Sequence, residues 1–388
     1  MNGNYISEWF GHRMYPQVVS SSSSVQGQQK ERCPFLSDTT GTETECIKHP
    51  SSKGVCTISS TSNGPRQDWV ACPYRAFDRE MMDAIATRLY DFAPETNVHI
   101  YSAPSLATEQ RQTEVLRLID ADETVLVYFD QKMGGEIQLS ATDRSPQVSF
   151  DTTFVQLVPG EQSLSLGRFA IMEIQTMDFH GSYRHAVKNL KDALRLHKDD
   201  FPSQVEQNQQ WLSESIEGPN IANVFKRTFY QLMFKFEMAL TPDCAGSALA
   251  IPVAVWDSWQ KFLGAPDLLN HPNGTHRLPK PDEDDDQRLP CWIYVFDFDE
   301  SADETPSPMR IQKMIRTSAE ALAHHAIEEA PRAAIDELDA ALYPAIRRRL
   351  RKYWPLQIEV PRRETPDQRE DVTIAEETRP IEEAELED

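Results

Sequence analysis

Short apolar runs separated by polar segments are the most regular pattern in this chain. Residues 124–129 form a nearly continuous apolar run, which is typical of a strand buried on both faces. The same criteria predict five further strands, at residues 97–101, 148–158, 168–176, 249–255 and 291–296.

Segments with helical spacing of apolar residues lie between these strands. They cover residues 77–90, 105–120, 182–196 and a long segment that begins at Gly218-Pro219-Asn220 and ends near Leu240. Residues 309–353 also have mostly helical spacing, with breaks expected near Pro331 and Pro344. Strands that alternate with helices predict an α/β fold.

The composition divides the chain into four segments. Residues 1–80 form a loop-rich N-terminal segment, because residues 18–70 are rich in Ser, Thr, Gly and Gln and have weak periodicity. Residues 81–300 form the predicted core and residues 301–356 a C-terminal helical region. Residues 357–388 form an acidic tail that we expect to be disordered.

The formal net charge is −22, of which the tail from residue 361 carries −7. Five consecutive acidic residues, 282–286, indicate an acidic loop. This charge argues against a nucleic-acid ligand unless a local basic cleft exists. Basic residues cluster on three predicted helices: Arg184, His185, Lys188 and Lys191; Lys226, Arg227 and Lys235; and Arg347, Arg348, Arg349, Arg351 and Lys352.

No secretory leader and no apolar window of membrane-spanning length is visible in the sequence. We therefore expect a cytoplasmic protein without a membrane partner.

Polar residues interrupt two of the predicted strands. Glu173 and Gln175 occupy alternate positions of an otherwise apolar strand, so they share one face. Asp151 interrupts the preceding apolar run, and a neighbouring strand can bring it beside Glu173. Two carboxylates and an amide suit Mg²⁺, which serves phosphodiester chemistry. Each residue taken singly also fits a solvated strand face. Glu136, which follows two glycines, is a further candidate carboxylate.

Four cysteines lie in or near the segment that is poor in core residues. Cys33, Cys46, Cys56 and Cys72 could hold one tetrahedral metal that replaces a missing hydrophobic core. Unrelated free thiols, or mixed ligation with His12 or His49, are the alternatives. Soft sulfur ligands suit either Zn or Fe. Cys244 and Cys291 are expected in the core.

Several segments resemble the NotI-like type II restriction endonucleases of the PD-(D/E)XK nuclease superfamily. The superfamily motif is an Asp followed at a distance by Glu-x-Lys, and here Gln175 replaces the Lys. Residues 173–183 (EIQTMDFHGSY) and 218–231 (GPNIANVFKRTFYQ) carry most of the resemblance. Shorter motifs, Phe10-Gly11-His12-Arg13, Cys33-Pro34-Phe35 and Trp69-Val70-Ala71-Cys72-Pro73, are also similar, and the order is kept from about residue 5 to 356.

The resemblance implies a PD-(D/E)XK nuclease core, with a mixed central sheet flanked by helices. It implies that Asp151, Glu173 and Gln175 are catalytic and that Asp151 and Glu173 bind Mg²⁺. It also implies structural Fe on Cys33, Cys46, Cys56 and Cys72, with Zn as the alternative.

The implied substrate is double-stranded DNA with a GC-rich palindromic site. Lys226, Arg227, Asn220 and Asn223 are the expected DNA-binding residues, because they lie in the similar segment and because Asn and Arg read base edges. A palindrome suits a homodimer, and a restriction enzyme implies a cognate DNA methyltransferase.

Two other functions compete with the site-specific endonuclease. One is a cleavage-inactive, metal-stabilised DNA-binding protein on the same scaffold. The other is a redox protein that uses the four cysteines, against which the carboxylate cluster and the absence of tight Cys-x₂-Cys knuckles argue.

Overall fold

The computed structural model describes residues 3–18, 21–62, 64–76, 79–93, 95–161, 163–280, 289–299 and 306–354. Its helices are α1 (Ser22–Gln29), α2 (Pro34–Thr40), α3 (Arg79–Leu89), α4 (Glu109–Asp120), α5 (Arg184–Leu196), α6 (Phe201–Gln207), α7 (Ile221–Met238), α8 (Val253–Leu263), α9 (Ala319–His324) and α10 (Ala330–Leu350). Its strands are β1 (Tyr5–Trp9), β2 (His12–Arg13), β3 (Val55–Ser60), β4 (Gln67–Val70), β5 (Val98–Ser102), β6 (Thr124–Asp130), β7 (Ile137–Leu139), β8 (Val148–Phe150), β9 (Thr152–Pro159), β10 (Leu164–Ile174), β11 (Phe179–Gly181), β12 (Ile216–Pro219), β13 (Cys244–Pro252), β14 (Leu269–Asn270), β15 (His276–Arg277), β16 (Cys291–Phe298) and β17 (Met309–Thr317). Short 3₁₀ turns cover Pro73–Arg75, Ala103–Ala107 and Gln209–Leu212, and a π-helical turn covers His325–Glu329.

A mixed sheet dominates the fold, and in the described residues its strand order is β14-β15-β17-β16-β13-β10-β9-β6-β5. Strands β10, β13 and β16 run parallel, whereas β9 is antiparallel to both of its neighbours. The predicted α/β class, with a large mixed sheet flanked by helices, is confirmed. The more specific prediction of a PD-(D/E)XK nuclease core stays a prediction.

Helices cover both faces of the sheet. On one face, Ile85 of α3 belongs to the same buried cluster as Met172 of β10. On the other face, Phe236 of α7 and Trp259 of α8 belong to a cluster with Leu249 of β13. Each such fully buried side chain contributes roughly 1.5–3 kcal/mol. Strand β10 is therefore fixed between two packed layers.

The N-terminal segment is more regular than its composition suggests. Strands β2-β1-β3-β4 form an antiparallel sheet, and every residue of β1 and β3 is buried. The prediction of irregular structure over residues 18–70 was wrong for β3 and β4. Buried Ser and Thr residues of β3, which pair through their main chains, hide the apolar alternation there.

A buried ion pair lies within this segment. Arg75 Nε donates to Glu8 Oε2 at 2.8 Å, and Thr57 Oγ1 donates to the same oxygen at 2.6 Å. Burial raises the pKa of Glu8, but Arg75 and Thr57 outweigh it, so the pKa of Glu8 lies below its ordinary value. Removing one partner from such a pair costs roughly 3–5 kcal/mol.

The predicted C-terminal helical region needs a correction, because Met309–Thr317 is strand β17 and pairs antiparallel with β16. Its exposed residues Arg310, Gln312 and Arg316 alternate with less exposed ones in the period of a strand. The spacing of its apolar residues also fits a helix, which misled the sequence analysis. Helical structure begins at Ala319, and α10 continues through Pro344 instead of breaking there.

The chain divides into two compact units, Met1–Pro331 and Arg332–Asp388. The segments predicted as 1–80 and 81–300 both lie in the first unit. The acidic loop 282–286 and the tail 357–388 fall outside the described residues. Within the described part of the chain, no helix has the length and apolar character that crossing a membrane requires.

Candidate active site

The structure brings Asp151 and Glu173 together. Asp151 lies between β8 and β9, and Glu173 lies near the end of β10, which pairs with β9. The main-chain N–H of Asp151 donates to Glu173 Oε1 at 3.2 Å. The N–H of Ile174 donates to Asp151 Oδ2 at 3.0 Å. The carboxylate of Glu173 is therefore held by the main chain of Asp151, and the carboxylate of Asp151 is held by the main chain next to Glu173.

Gln175 lies on the same side of the sheet as Glu173, as their alternate positions predict. Its main-chain N–H donates to Ala250 O of β13 at 3.0 Å, which extends the pairing of β10 by one residue. The hydroxyl of Thr228 donates to Gln175 Oε1 at 2.5 Å. The side chain is thus fixed between the sheet and α7.

Helix α7 forms one wall of the cleft above these residues. Arg227, Thr228, Gln231 and Lys235 recur at intervals of one, three and four residues, which places them along one side of the helix. The cleft they line has a volume of about 330 Å³ and also contains Asp151, Glu173 and Gln175.

Lys235 is the residue that sequence reasoning misplaced. The sequence analysis groups it with Lys226 and Arg227 as a basic cluster, but Lys235 is only 3% exposed, and its Nζ lies 2.5 Å from Glu173 Oε2. The helical spacing of Thr228, Leu232, Lys235 and Phe236, all of them buried, is the signal that predicts its position.

The electrostatics of Glu173 reflect two opposing influences. Burial of the carboxyl group and the negative charge of Asp151 raise the pKa of Glu173 to about 8, although Lys235 acts in the opposite direction. One ammonium group therefore does not compensate both carboxylates in this buried position. A further cation beside the two carboxylates would favour the ionised form of Glu173.

Three more carboxylates line the same cleft. They are Glu136, which is the additional candidate from the sequence, Asp130 and Asp178. Asp130 Oδ1 accepts the main-chain N–H groups of Lys132 at 2.6 Å and of Met133 at 2.8 Å, so it shapes a turn. Burial raises the pKa of Asp130.

Of the four expected DNA-binding residues, one lines the cleft and three lie outside its lining. Arg227 lines the cleft, where its guanidinium donates to Asp178 Oδ2 at 3.0 Å. Asn220 is the N-cap residue of α7, and its main-chain N–H donates to Asp178 O at 2.8 Å. Lys226 and Asn223 are exposed on α7 and do not belong to the cleft lining.

The four N-terminal cysteines converge through main-chain pairing. An isolated bridge between Arg32 and Glu45 brings Cys33 close to Cys46. The pairing of β3 with β4 brings Cys56 close to Cys72, because the N–H of Ala71 donates to Cys56 O at 2.9 Å. Gly54 connects the two pairs, since its N–H donates to Cys46 Sγ and its carbonyl accepts from Cys56 Sγ, both at 3.4 Å.

These thiols influence one another electrostatically. Burial raises the pKa of Cys33 to about 12, with further increases from Cys72 and Cys46, whereas the N–H groups of Leu36 and Phe35 act in the opposite direction. Burial, Cys72 and Glu8 also raise the pKa of Cys56. A metal cation would reverse this preference by stabilising thiolates.

The ligand types of the two candidate metal sites suit the expected metals, but their side chains are not arranged as complete coordination sites. Within the described residues, no group of three or more His, Cys, Asp or Glu side chains is arranged to hold a metal ion. Mg²⁺ needs only one or two carboxylates because it retains several waters, so Asp151 and Glu173 suit it. The four buried thiols suit a soft metal, and the tetrahedral site stays a prediction.

In comparisons with known proteins, no family model and no curated sequence matches this chain. The resemblance to NotI-like endonucleases therefore rests on the sequence segments that carry it.

Proposed function

We propose that this protein is a Mg²⁺-dependent, site-specific endonuclease of the type II restriction class that hydrolyses phosphodiester bonds in double-stranded DNA. The observation that supports it best is the joint position of Asp151, Glu173 and Gln175 with Lys235 in one cleft. Carboxylates, an amide and a cation at the end of a sheet are the groups that this reaction uses.

Asp151 and Glu173 would bind Mg²⁺, which polarises the scissile phosphate and lowers the pKa of a bound water. Lys235 keeps Glu173 in place and adds positive charge to the cleft, a role for which the amide of Gln175 is unsuited. Gln175, with its Oε1 held by Thr228, is positioned to orient the attacking water through its side chain. Attack at phosphorus then displaces the 3′ oxygen.

Binding of DNA must overcome the charge of the cleft. Five acidic residues line it, Asp130, Glu136, Asp151, Glu173 and Asp178, against two basic ones, Arg227 and Lys235. Arg227 would contact a phosphate or base beside the scissile bond, and Lys226, Asn220 and Asn223 would contact DNA nearer the start of α7.

The remaining parts of the proposal follow from the resemblance. The target is a GC-rich palindrome, the enzyme is a cytoplasmic homodimer, and a cognate methyltransferase protects the host. Structural Fe, or Zn in its place, is bound by Cys33, Cys46, Cys56 and Cys72, and stabilises the N-terminal segment.

The test is the digestion of plasmid DNA by purified protein with Mg²⁺. The wild-type protein should give discrete fragments, and Glu173→Ala should give none while retaining DNA binding in a gel shift. Full cleavage by Glu173→Ala would refute the proposal. Sequencing of the fragment ends gives the recognised site and the overhang.

One observation favours the second candidate, a cleavage-inactive DNA-binding protein. Lys235 already pairs with Glu173, so a buried cation occupies one of the two carboxylates that the first candidate needs for Mg²⁺. A gel shift by the wild-type protein, with no cutting at any Mg²⁺ or Mn²⁺ concentration, would support this candidate.

A further inference from the structure

A tyrosine reaches the cleft from the segment that carries the four cysteines. Cys72 is the N-cap residue of the 3₁₀ turn Pro73–Arg75, and the first two residues of this turn, Pro73 and Tyr74, line the cleft. Tyr74 is the one aromatic residue in the described part of the cleft lining. Its hydroxyl is therefore a polar group of the candidate active site that comes from outside the central sheet and α7.

The main chain before this turn is tied to the catalytic strand. The N–H of Met177, two residues after Gln175, donates at 2.9 Å to the carbonyl oxygen of Val70, which ends β4. Pro73 follows shortly afterwards, and its ring fixes one main-chain dihedral angle of the turn. These main-chain constraints set the position of Tyr74 relative to the catalytic strand.

Arg75 fixes the other end of the turn. Its side chain is buried, and its Nε and Nη2 donate to Glu8 Oε2 at 2.8 Å and to Glu8 Oε1 at 3.1 Å. Nη2 also donates to Ser307 O at 2.6 Å, and the guanidinium carbon lies 4.8 Å and 4.9 Å from the ring centroids of Phe35 and Phe298. A residue held by this many contacts leaves the preceding residue little freedom to turn away from the cleft.

The hydroxyl of Tyr74 lies among the polar groups of the cleft. It donates at 2.6 Å to Gln131 Oε1, which belongs to an exposed side chain in the turn after β6. Burial raises the pKa of Tyr74 most, and the negative charge of four neighbouring groups raises it further: Asp130, Cys72, Glu136 and Asp151. An ordinary phenol keeps its proton at neutral pH, so the side chain offers one uncharged hydrogen-bond donor.

We propose that Tyr74 contacts the substrate by donating its hydroxyl hydrogen to a non-bridging oxygen of the phosphate held beside Asp151 and Glu173. The hydroxyl would exchange a neutral acceptor, the amide of Gln131, for an anionic one. Hydrogen bonds to charged acceptors are roughly twice as strong as those between neutral groups, so this exchange is favourable.

The charge balance of the cleft gives this donor particular weight. The two basic side chains of the described cleft lining are already paired, Lys235 with Glu173 and Arg227 with Asp178. A phosphate must share or break these ion pairs, whereas it displaces only an exposed hydrogen bond to reach Tyr74. The inference rests on the DNA substrate of the proposed function and adds a residue that contacts this substrate.

DNA affinity tests the contact without cleavage. The probe is the labelled plasmid fragment that the wild-type protein binds most tightly when Ca²⁺ replaces Mg²⁺. With Ca²⁺, Tyr74→Phe should raise the dissociation constant about tenfold, because it removes a hydrogen bond to a charged group. In EDTA its affinity should equal that of the wild type, since no cation then holds the phosphate beside the hydroxyl.

Tyr101→Phe is the matched control. The hydroxyl of Tyr101 also donates to a side-chain oxygen, Glu114 Oε1 at 3.0 Å, and Tyr101 does not belong to the cleft lining. This variant should bind as the wild type does in Ca²⁺ and in EDTA. A Tyr74→Phe variant with no loss of affinity in Ca²⁺, or with the same loss in EDTA, overturns the proposal.

Gln131→Leu separates a substrate contact from a structural one. If the hydroxyl acted only through its bond to Gln131, Gln131→Leu and Tyr74→Phe would lower the affinity alike. A contact with phosphate predicts a much smaller loss for Gln131→Leu, because this change frees the hydroxyl. Equal losses in the two variants, with both folded in thermal denaturation, overturn the proposal.

Cleavage rates keep this inference distinct from the endonuclease. In single-turnover digests at saturating protein, Tyr74→Phe should cut roughly tenfold more slowly than the wild type. Cutting at the wild-type rate overturns the inference and leaves the endonuclease standing. A wild-type protein that binds DNA and never cuts rejects the endonuclease, and the Ca²⁺-dependent loss of affinity in Tyr74→Phe then still supports the contact.

Discussion

At the residue scale, Lys235 is the side chain on which we expect cleavage to depend most after the carboxylates. Lys235→Met should lower the cleavage rate by about 100-fold, because it removes the cation beside the reacting phosphate. Lys235→Arg should recover part of the rate. The fold should persist without the ion pair, since the pKa of Glu173 already lies at about 8 and the carboxyl can stay protonated.

The matched control for this prediction is Lys261→Met, at an exposed position of α8 outside the cleft lining. Its rate should stay within a few fold of wild type. Rates are measured in single-turnover digests, and thermal denaturation verifies folding. Wild-type cleavage by Lys235→Met would remove this residue from the reaction.

Sequence reasoning reached part of this site for a physical reason. Glu173 and Gln175 interrupt an apolar strand, and alternation alone puts them on one face. The sequence could place Asp151 beside Glu173 only on the assumption that their strands are neighbours. The pairing of β9 with β10 confirms this assumption. Lys235 was missed as the partner of Glu173 because its charge grouped it with Lys226 and Arg227, although its helical spacing indicated burial.

At the element scale, the Glu8–Arg75 pair should make the stability of the N-terminal sheet depend on pH. The folded pKa of Glu8 lies below its ordinary 4.5, so its stabilising contribution is present above that value and is lost as the pH falls through the folded pKa. Glu8→Gln should therefore destabilise the protein at pH 7 and less so near pH 3.

This difference is measured by thermal denaturation of the wild type and Glu8→Gln between pH 3 and 7. Glu45→Gln is the control, because the Glu45 side chain is 75% exposed, and it should change little at any pH. A wild-type advantage that stays constant or grows on acidification would contradict the assignment.

The cysteine segment makes a second prediction at this scale. Metal analysis of purified protein should give about one Fe or Zn per chain, and Cys33→Ser should lose it together with several kcal/mol of stability. Cys244→Ser, which changes a buried cysteine of the central core, should keep the metal. Equal metal content in both variants would show that Cys33 is not a ligand.

At the scale of the whole molecule, the sequence indicated the mixed α/β architecture but not all of its members. The buried strands β6, β13 and β16 can be predicted from apolar runs in the sequence. Strand β17 is harder to predict, because the spacing of its apolar residues fits a helix equally well and because its place beside β16 depends on contacts distant in sequence. Strands β1 and β3 were hidden by their buried polar residues.

The net charge of −22 leads us to expect that DNA binding depends on a divalent cation. With more acidic than basic residues lining the cleft, phosphate is repelled until a divalent cation enters. DNA affinity should therefore rise about tenfold, or roughly 1.4 kcal/mol, when Ca²⁺ replaces EDTA.

Asp151→Asn separates this effect from general screening. Because it removes one negative charge from the cleft, it should bind DNA more tightly than wild type in EDTA and gain less from Ca²⁺. Asp143→Asn, at an exposed residue outside the cleft lining, should behave as wild type. Fluorescence anisotropy at constant ionic strength measures all three proteins. If Ca²⁺ helps Asp151→Asn as much as it helps wild type, the cation acts elsewhere, and Asp151 has no part in holding it.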